Sequence, residues 1–215
     1  KKDRFYLYQS KWSKTPVLHL LPHWNWEERL GQNVPVFCYT NYPKAELFIN
    51  GKSMGMKEKS KESKYNRYRM MWRDITYQPG EIKVVAYNHE GLPVDTAAIK
   101  TAGETYRLRT TVDRREIKAD GQDLAFVTVE IVDKEGNLCP KADNLLFFEV
   151  EGNAHLKAAC NGDPTSQTSF ASSYMRTFNG KLMLIVEAGD VVGSATLKVY
   201  GGHLLPAVEK IMCID

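Results

Sequence analysis

The densest gathering of chemically capable side chains in this sequence is HLLPHWNWEERLG at 19–31, where two tryptophans, a histidine, an asparagine and a proline crowd behind a short apolar run. Large aromatic faces beside hydrogen-bonding groups suit sugar rings. The C–H face of a pyranose stacks on an indole while its hydroxyls need donors and acceptors. Trp24 and Trp26 are therefore the candidate substrate-binding residues, with His23 and Asn25 as polar companions. The competing reading is that both indoles bury against a preceding helix or the edge of a sandwich. A second polar run, CNGDPTSQTSF at 160–170, reads as a tight turn followed by a Thr/Ser loop, and Asp120-Gly121-Gln122-Asp123 as a strand-entry turn.

Glycoside or acyl transfer needs two acids, or a nucleophile with its base, converging in one concave site. The sequence has no GxSxG elbow, no HExxH, no GxGxxG and no P-loop. His19, His23, His89, His155 and His203 are dispersed, and Cys38, Cys139, Cys160 and Cys213 form no CxxC pair. No catalytic residue, no metal site and no cofactor is expected. Buried free thiols are the main reading of the cysteines, with a disulfide as the other. Lys and Arg number 29 against 26 Asp and Glu, a formal charge of +3 that is far from the concentrated positive charge of a nucleic-acid binder. No apolar run approaches the roughly 18 residues of a membrane-spanning helix. The sequence starts at Lys1 without a Met, which is compatible with a targeting segment or a whole domain ahead of it.

Positioning these residues falls to short elements. In KKDRFYLYQSKW, Phe5, Tyr8 and Trp12 share one helical face. From Val17 onward the period changes to 2, with turn residues between the runs. Strands are predicted at 17–21, 34–40, 45–50, 68–72, 81–88 and 96–102, then at 106–113 and in LAFVTVEIVD, NLLFFEVEG, HLKAAC, SYMRTF, KLMLIVEAG, GSATLKVYG and AVEKIMCI. Asn50-Gly51, Glu90-Gly91, Glu135-Gly136 and Asn179-Gly180 supply the hairpin turns. The Lys-rich KSMGMKEKSKESKYNR is read as a solvated hairpin or loop. Val127, Val129 and Leu184 are predicted core positions. The fold expected is all-β: two tandem immunoglobulin-like β-sandwiches after a short N-terminal helix, with 1–14 as the helix, 15–102 as the first sandwich and 103–215 as the second.

HLLPHWNW, VPVFCYTN, AELFINGKSMG and YQPGEIKVVAYNHEG followed by IKTAGE resemble the region after the catalytic barrel in bacterial glycoside hydrolase family 2 enzymes of the β-galactosidase type. ADGQDLAFVTVEIVDKEGN, CPKADNLLFFEVEG, CNGDPTS and FNGK resemble that family's C-terminal immunoglobulin-like domain. The resemblance implies that residues 1–14 are the last helix of the barrel and that the catalytic glutamates lie upstream. It also implies that this segment alone is inactive, and that Trp24 and Trp26 lie near the mouth of the sugar site. Its partners would be the upstream barrel and the carbohydrate substrate, in a periplasmic or secreted protein. Trp24 and Trp26 are expected to be more exposed here than beneath a barrel, and the helix or the tryptophan segment to be buried in a neighbouring copy, as in a homo-oligomer, or folded back on the first sandwich. Two further readings are an independent carbohydrate-binding module and an adhesion module of the invasin type. A binding module would need an exposed aromatic platform on a sheet face, and NLLFFEV alternates poorly for one, since Phe147 and Phe148 face opposite ways.

Overall fold

The computed structural model describes residues 2–215; Lys1, the first residue of the predicted helical segment, lies outside them. The chain divides into two compact units, Lys1–Thr101 and Ala102–Asp215.

The first unit opens with helix α1 (Asp3–Trp12) and continues with strands β1 (Leu18–Leu21), β2 (Val36–Thr40), β3 (Lys44–Ile49), β4 (Lys52–Glu58), β5 (Met70–Trp72), β6 (Glu81–Tyr87) and β7 (Pro93–Lys100). Two sheets result, with orders β1-β2-β5 and β4-β3-β6-β7. Alternation puts Val36, Cys38, Leu47, Ile49, Ile82 and Val84 between them, together with Leu20, Met70 and Trp72. Burial pushes the Cys38 thiol up to about 12, so it packs as a neutral, unreactive group.

The Lys-rich stretch takes the solvated-hairpin alternative in its first half, where Lys52–Glu58 pairs with β3 across the Asn50-Gly51 turn as an edge strand. Its charged side chains suit an edge, where they discourage pairing with other chains. Helix α1 folds back on the first sandwich, as expected, but through the face opposite its aromatic stripe. Phe5, Tyr8 and Trp12 stay exposed, Trp12 at 77%, and the only buried residue of the helix is Ser10. The reason lies on the opposite face. Tyr6 stacks on His19 with centroids 3.8 Å apart, His19 Nε2 lies 2.8 Å from Asp3 Oδ1, and the Ser10 hydroxyl donates to the Leu7 carbonyl at 2.8 Å.

The second unit contains β8 (Arg107–Val112), β9 (Glu116–Lys118), β10 (Leu124–Val132), β11 (Leu145–Gly152), β12 (Ala154–Cys160), β13 (Tyr174–Arg176), β14 (Lys181–Ala188), β15 (Gly193–Tyr200) and β16 (Ala207–Ile214). Its sheets have orders β12-β14-β10-β8 and β13-β11-β15-β16-β9. Val127, Val129 and Leu184 are fully buried, as alternation predicts. Asn179 and Gly180 both take positive φ in the tight turn from β13 to β14, and a Cβ on Gly180 would collide with the Cys139 carbonyl. Strand β9 escaped the sequence reading. It is three residues long and pairs in parallel with β16, a partner far away in the chain. All four cysteines are free thiols.

Candidate functional site

Trp24 and Trp26 sit in the first unit, in the loop after β1 that begins with a cis Leu21–Pro22 peptide and passes through a 3₁₀ turn at Glu27–Arg29. They point to different environments. Trp24 is 0% exposed and belongs to the core between the two sheets. Its indole N–H donates to the Gln78 carbonyl at 2.9 Å, and its ring meets Tyr77 edge-on at a centroid distance of 5.0 Å. A buried indole needs such an acceptor, so the Gln78 carbonyl holds the ring inward. The Trp24 carbonyl accepts from Thr101 Oγ1 at 2.6 Å and from Tyr77 Oη at 3.4 Å. The expectation of an exposed Trp24 ring is therefore corrected: the ring offers no face to a sugar here.

Trp26 is half-buried. It stacks on His23 at 4.4 Å with planes 14° apart, its N–H donates to the His23 carbonyl at 2.8 Å, and the Arg29 guanidinium lies 5.3 Å from its ring centroid. Asn25 is buried, donating from Nδ2 to Glu27 Oε1 at 3.1 Å and from its backbone N–H to His23 Nδ1 at 3.2 Å. His23, Trp26 and Arg29 thus make a stack whose indole is locked at both edge and face. Sequence reading missed Tyr77 and Thr101, the partners that clamp this loop. They lie 53 and 77 residues downstream of Trp24, and no local pattern announces them.

A second feature of this unit is a groove of about 490 Å³ lined by Leu7, Tyr8, Lys11, Trp12, Lys64, Tyr65, Tyr68 and Arg69. Tyr8 and Trp12 stack at 4.8 Å, and Lys11 lies 5.9 Å from the Tyr68 ring centroid. The lining has aromatics and cations and no acid.

Two enclosed acids of the second unit, Glu130 and Glu187, are occupied in structure. Glu130 is ion-paired to Lys181 at 2.7 Å and Arg109 at 2.8 Å; burial opposes its ionised form, yet these partners hold its carboxyl below the usual range. Glu187 is held low mainly by its hydrogen bond from Lys157, with His155 adding to it. A glycosidase acid needs the opposite shift, upward, to carry a proton at neutral pH. Among the described residues no group of three or more His, Cys, Asp or Glu side chains is placed to hold a metal ion.

Residues 108–208 match glycoside hydrolase family 2 C-terminal domain 5, and residues 31–95 match a domain of unknown function, DUF4982. The chain is 42% identical over 98% of its length to a β-galactosidase of Bacteroides ovatus, of which it covers 24%. It is 32% identical over 87% of its length to a putative β-glucuronidase of Formosa agariphila, covering 18% of that protein. Among solved structures, a β-glycosidase from Bacteroides vulgatus superposes with a TM-score of 0.90 at 32% identity, covering 98% of this chain and 26% of that one. A glycosyl hydrolase family 2 member from Bacteroides cellulosilyticus superposes with a TM-score of 0.87 at 29% identity, covering 100% of this chain and 30% of that one. The chain spans about a quarter or less of the length of the curated relatives named here.

Proposed function

The chain belongs to the C-terminal region of glycoside hydrolase family 2, and from that premise we propose that it is a non-catalytic accessory segment of a β-galactosidase, its two sandwiches supporting a catalytic barrel in the same polypeptide. The observation that carries this reading is the identity of 42% across nearly the whole chain to a β-galactosidase of which it covers only 24%. Two features support the division of labour. Three enclosed carboxylates, Glu130, Glu187 and Asp133, are held in the ionised form by partners, which suits anchoring and not proton donation. The exposed Tyr8 and Trp12 stack with the acid-free groove beside it is an apolar surface of the kind a neighbouring domain covers. In this reading α1 faces the barrel, and Trp26 reaches toward the sugar site while Trp24 anchors its loop.

The test assays the parent polypeptide and this chain side by side on an aryl β-galactoside and an aryl β-glucuronide. The expected result is galactoside turnover by the parent and none by the chain. Turnover by the chain that vanishes when one of its own acids is replaced overturns the non-catalytic reading. A parent that prefers the glucuronide overturns the galactoside assignment. That second specificity is favoured by the similarity to the putative β-glucuronidase of Formosa agariphila.

A further inference from the structure

The outer face of the five-stranded sheet in the second unit carries a row of aromatic rings that no stretch of sequence displays. Phe147 on β11 stands directly opposite Tyr174 on β13 and, on its other side, directly opposite Tyr200 on β15. Ring centroids are 6.3 Å apart in the first pair and 5.8 Å in the second, with planes inclined at 47° and 23°. The alternation that sends Phe148 into the core turns Phe147 outward, leaving it 38% exposed and Tyr174 46% exposed. Gly201 follows the row, and a Cβ there would collide with the Leu145 carbonyl, so its absence lets β15 close on β11 beside the rings.

Polar groups flank the row in balanced pairs. Tyr200 Oη donates to Glu149 Oε1 at 2.6 Å, Lys198 Nζ lies 3.9 Å from Glu149 Oε2, and the same ammonium is 5.0 Å from the Tyr200 ring centroid. At the other end Arg176 lies 3.9 Å from Asp143. Cross-strand aromatic pairs contribute only modestly to a sheet, which does not require three large rings left facing water. Neighbouring strands are about 4.8 Å apart, so three rings in register form a tilted row across three strands, with acceptors and donors along its side.

We propose that Tyr174, Phe147 and Tyr200 form a glycan-binding platform for a neutral, β-linked oligosaccharide chain. Each ring takes the C–H face of one sugar, while Glu149 and Lys198 accept from and donate to hydroxyls of the sugar over Tyr200. A neutral chain fits because the charges nearest the rings stand in opposite pairs, Lys198 with Glu149 and Arg176 with Asp143, and favour neither a uronate nor a cation. The choice of sugar class rests on the family 2 reading; the site itself does not.

The test is affinity electrophoresis of the 215-residue chain in gels containing soluble β-1,4-galactan, xyloglucan or hydroxyethyl cellulose, with size-exclusion chromatography alongside. Retardation by at least one polymer is expected. Phe147→Ala and Tyr200→Ala should each weaken it by roughly tenfold or more, about 1.4 kcal/mol. Tyr200→Phe, which keeps the ring and the fold, should weaken it less, and Leu92→Ala, at an exposed apolar position of the first unit, should leave it unchanged. Circular dichroism identifies any variant that has lost its fold, in which case Tyr174→Ala on the edge strand replaces it. No retardation in any of the three polymers overturns the proposal, as does retardation that survives Phe147→Ala. A dimer that Phe147→Asp converts to monomer also overturns it, by making a second copy the occupant. Binding by the chain is read separately from hydrolysis by the parent, so this proposal and the accessory reading fail by different measurements.

Discussion

Trp24 and Phe147 each come from a short run with two aromatic residues, yet one ring is enclosed in the core and the other faces water. The difference lies in what each backbone segment does. Trp24 stands in a loop, free to rotate inward, where the Gln78 carbonyl satisfies its N–H and Tyr77 packs on its face. Phe147 stands within β11, where Leu146 and Phe148 already take the inward positions. Crowding of aromatics along the chain therefore marks a plug in the first unit, whereas the exposed row of the second unit is assembled from three separate strands. Aromatic clusters that look alike in sequence serve opposite ends, burial in one case and an open surface in the other.

That contrast is open to measurement. The largest expected effect is Trp24→Ala, which should cost about 3–5 kcal/mol through lost burial and a residual cavity, while Phe147→Ala should cost less than about 1 kcal/mol. Denaturant titrations of the two variants check this, and equal costs would erase the distinction.

The same inside–outside contrast holds for carboxylates. Asp133 is buried and accepts from the backbone N–H of Gly103 at 2.9 Å and of Asn137 at 2.8 Å, and from the Asn137 side chain at 3.0 Å, whereas Glu149 is exposed. Asp133→Ala should cost about 2–4 kcal/mol because it strands buried donors, and Glu149→Ala well under 1 kcal/mol at about the surface-pair level. Burial alone would raise the Asp133 pKa, but the hydrogen bonds from Asn137 and Gly103 more than offset it and hold the carboxyl below its usual range. A depressed folded-state pKa means a contribution complete above about pH 4 and lost as pH falls through the folded value. Stability measured against pH should drop on that acid side, and drop less in Asp133→Asn.

Within the second unit, Val129→Ala should cost about 1–3 kcal/mol, since Val129 is fully buried between the sheets. A thermal midpoint unchanged from the parent sequence would mean that the two faces of β10 are reversed. A smaller stability cost than for Trp24→Ala is expected for Trp26→Ala, whose ring is only half-buried. In the parent enzyme the same substitution should lower kcat/KM by roughly tenfold if the ring stacks on sugar in the transition state. Unchanged kinetics would make the His23–Trp26–Arg29 stack a purely structural lock.

Much of the architecture was legible because its signals are local. Period-2 alternation marks β10 and β14 and assigns Val127, Val129 and Leu184 to one buried face. The positive φ that hairpins need marks Asn50-Gly51 and Asn179-Gly180 as turns. Family motifs running the length of the chain point to the right relatives. What stayed hidden depends on partners distant in the chain. Strand β4 is mostly exposed and charged at both ends, and is a strand because β3 pairs with it. The side of α1 that docks is chosen by His19, not by the aromatic stripe. Trp24 is buried because Gln78 and Tyr77 close over it. Alternation by itself determines which residues share a face of a strand. Which strand comes alongside, and in what register, is decided by contacts between segments far apart in the sequence, and that register alone lines up Tyr174, Phe147 and Tyr200.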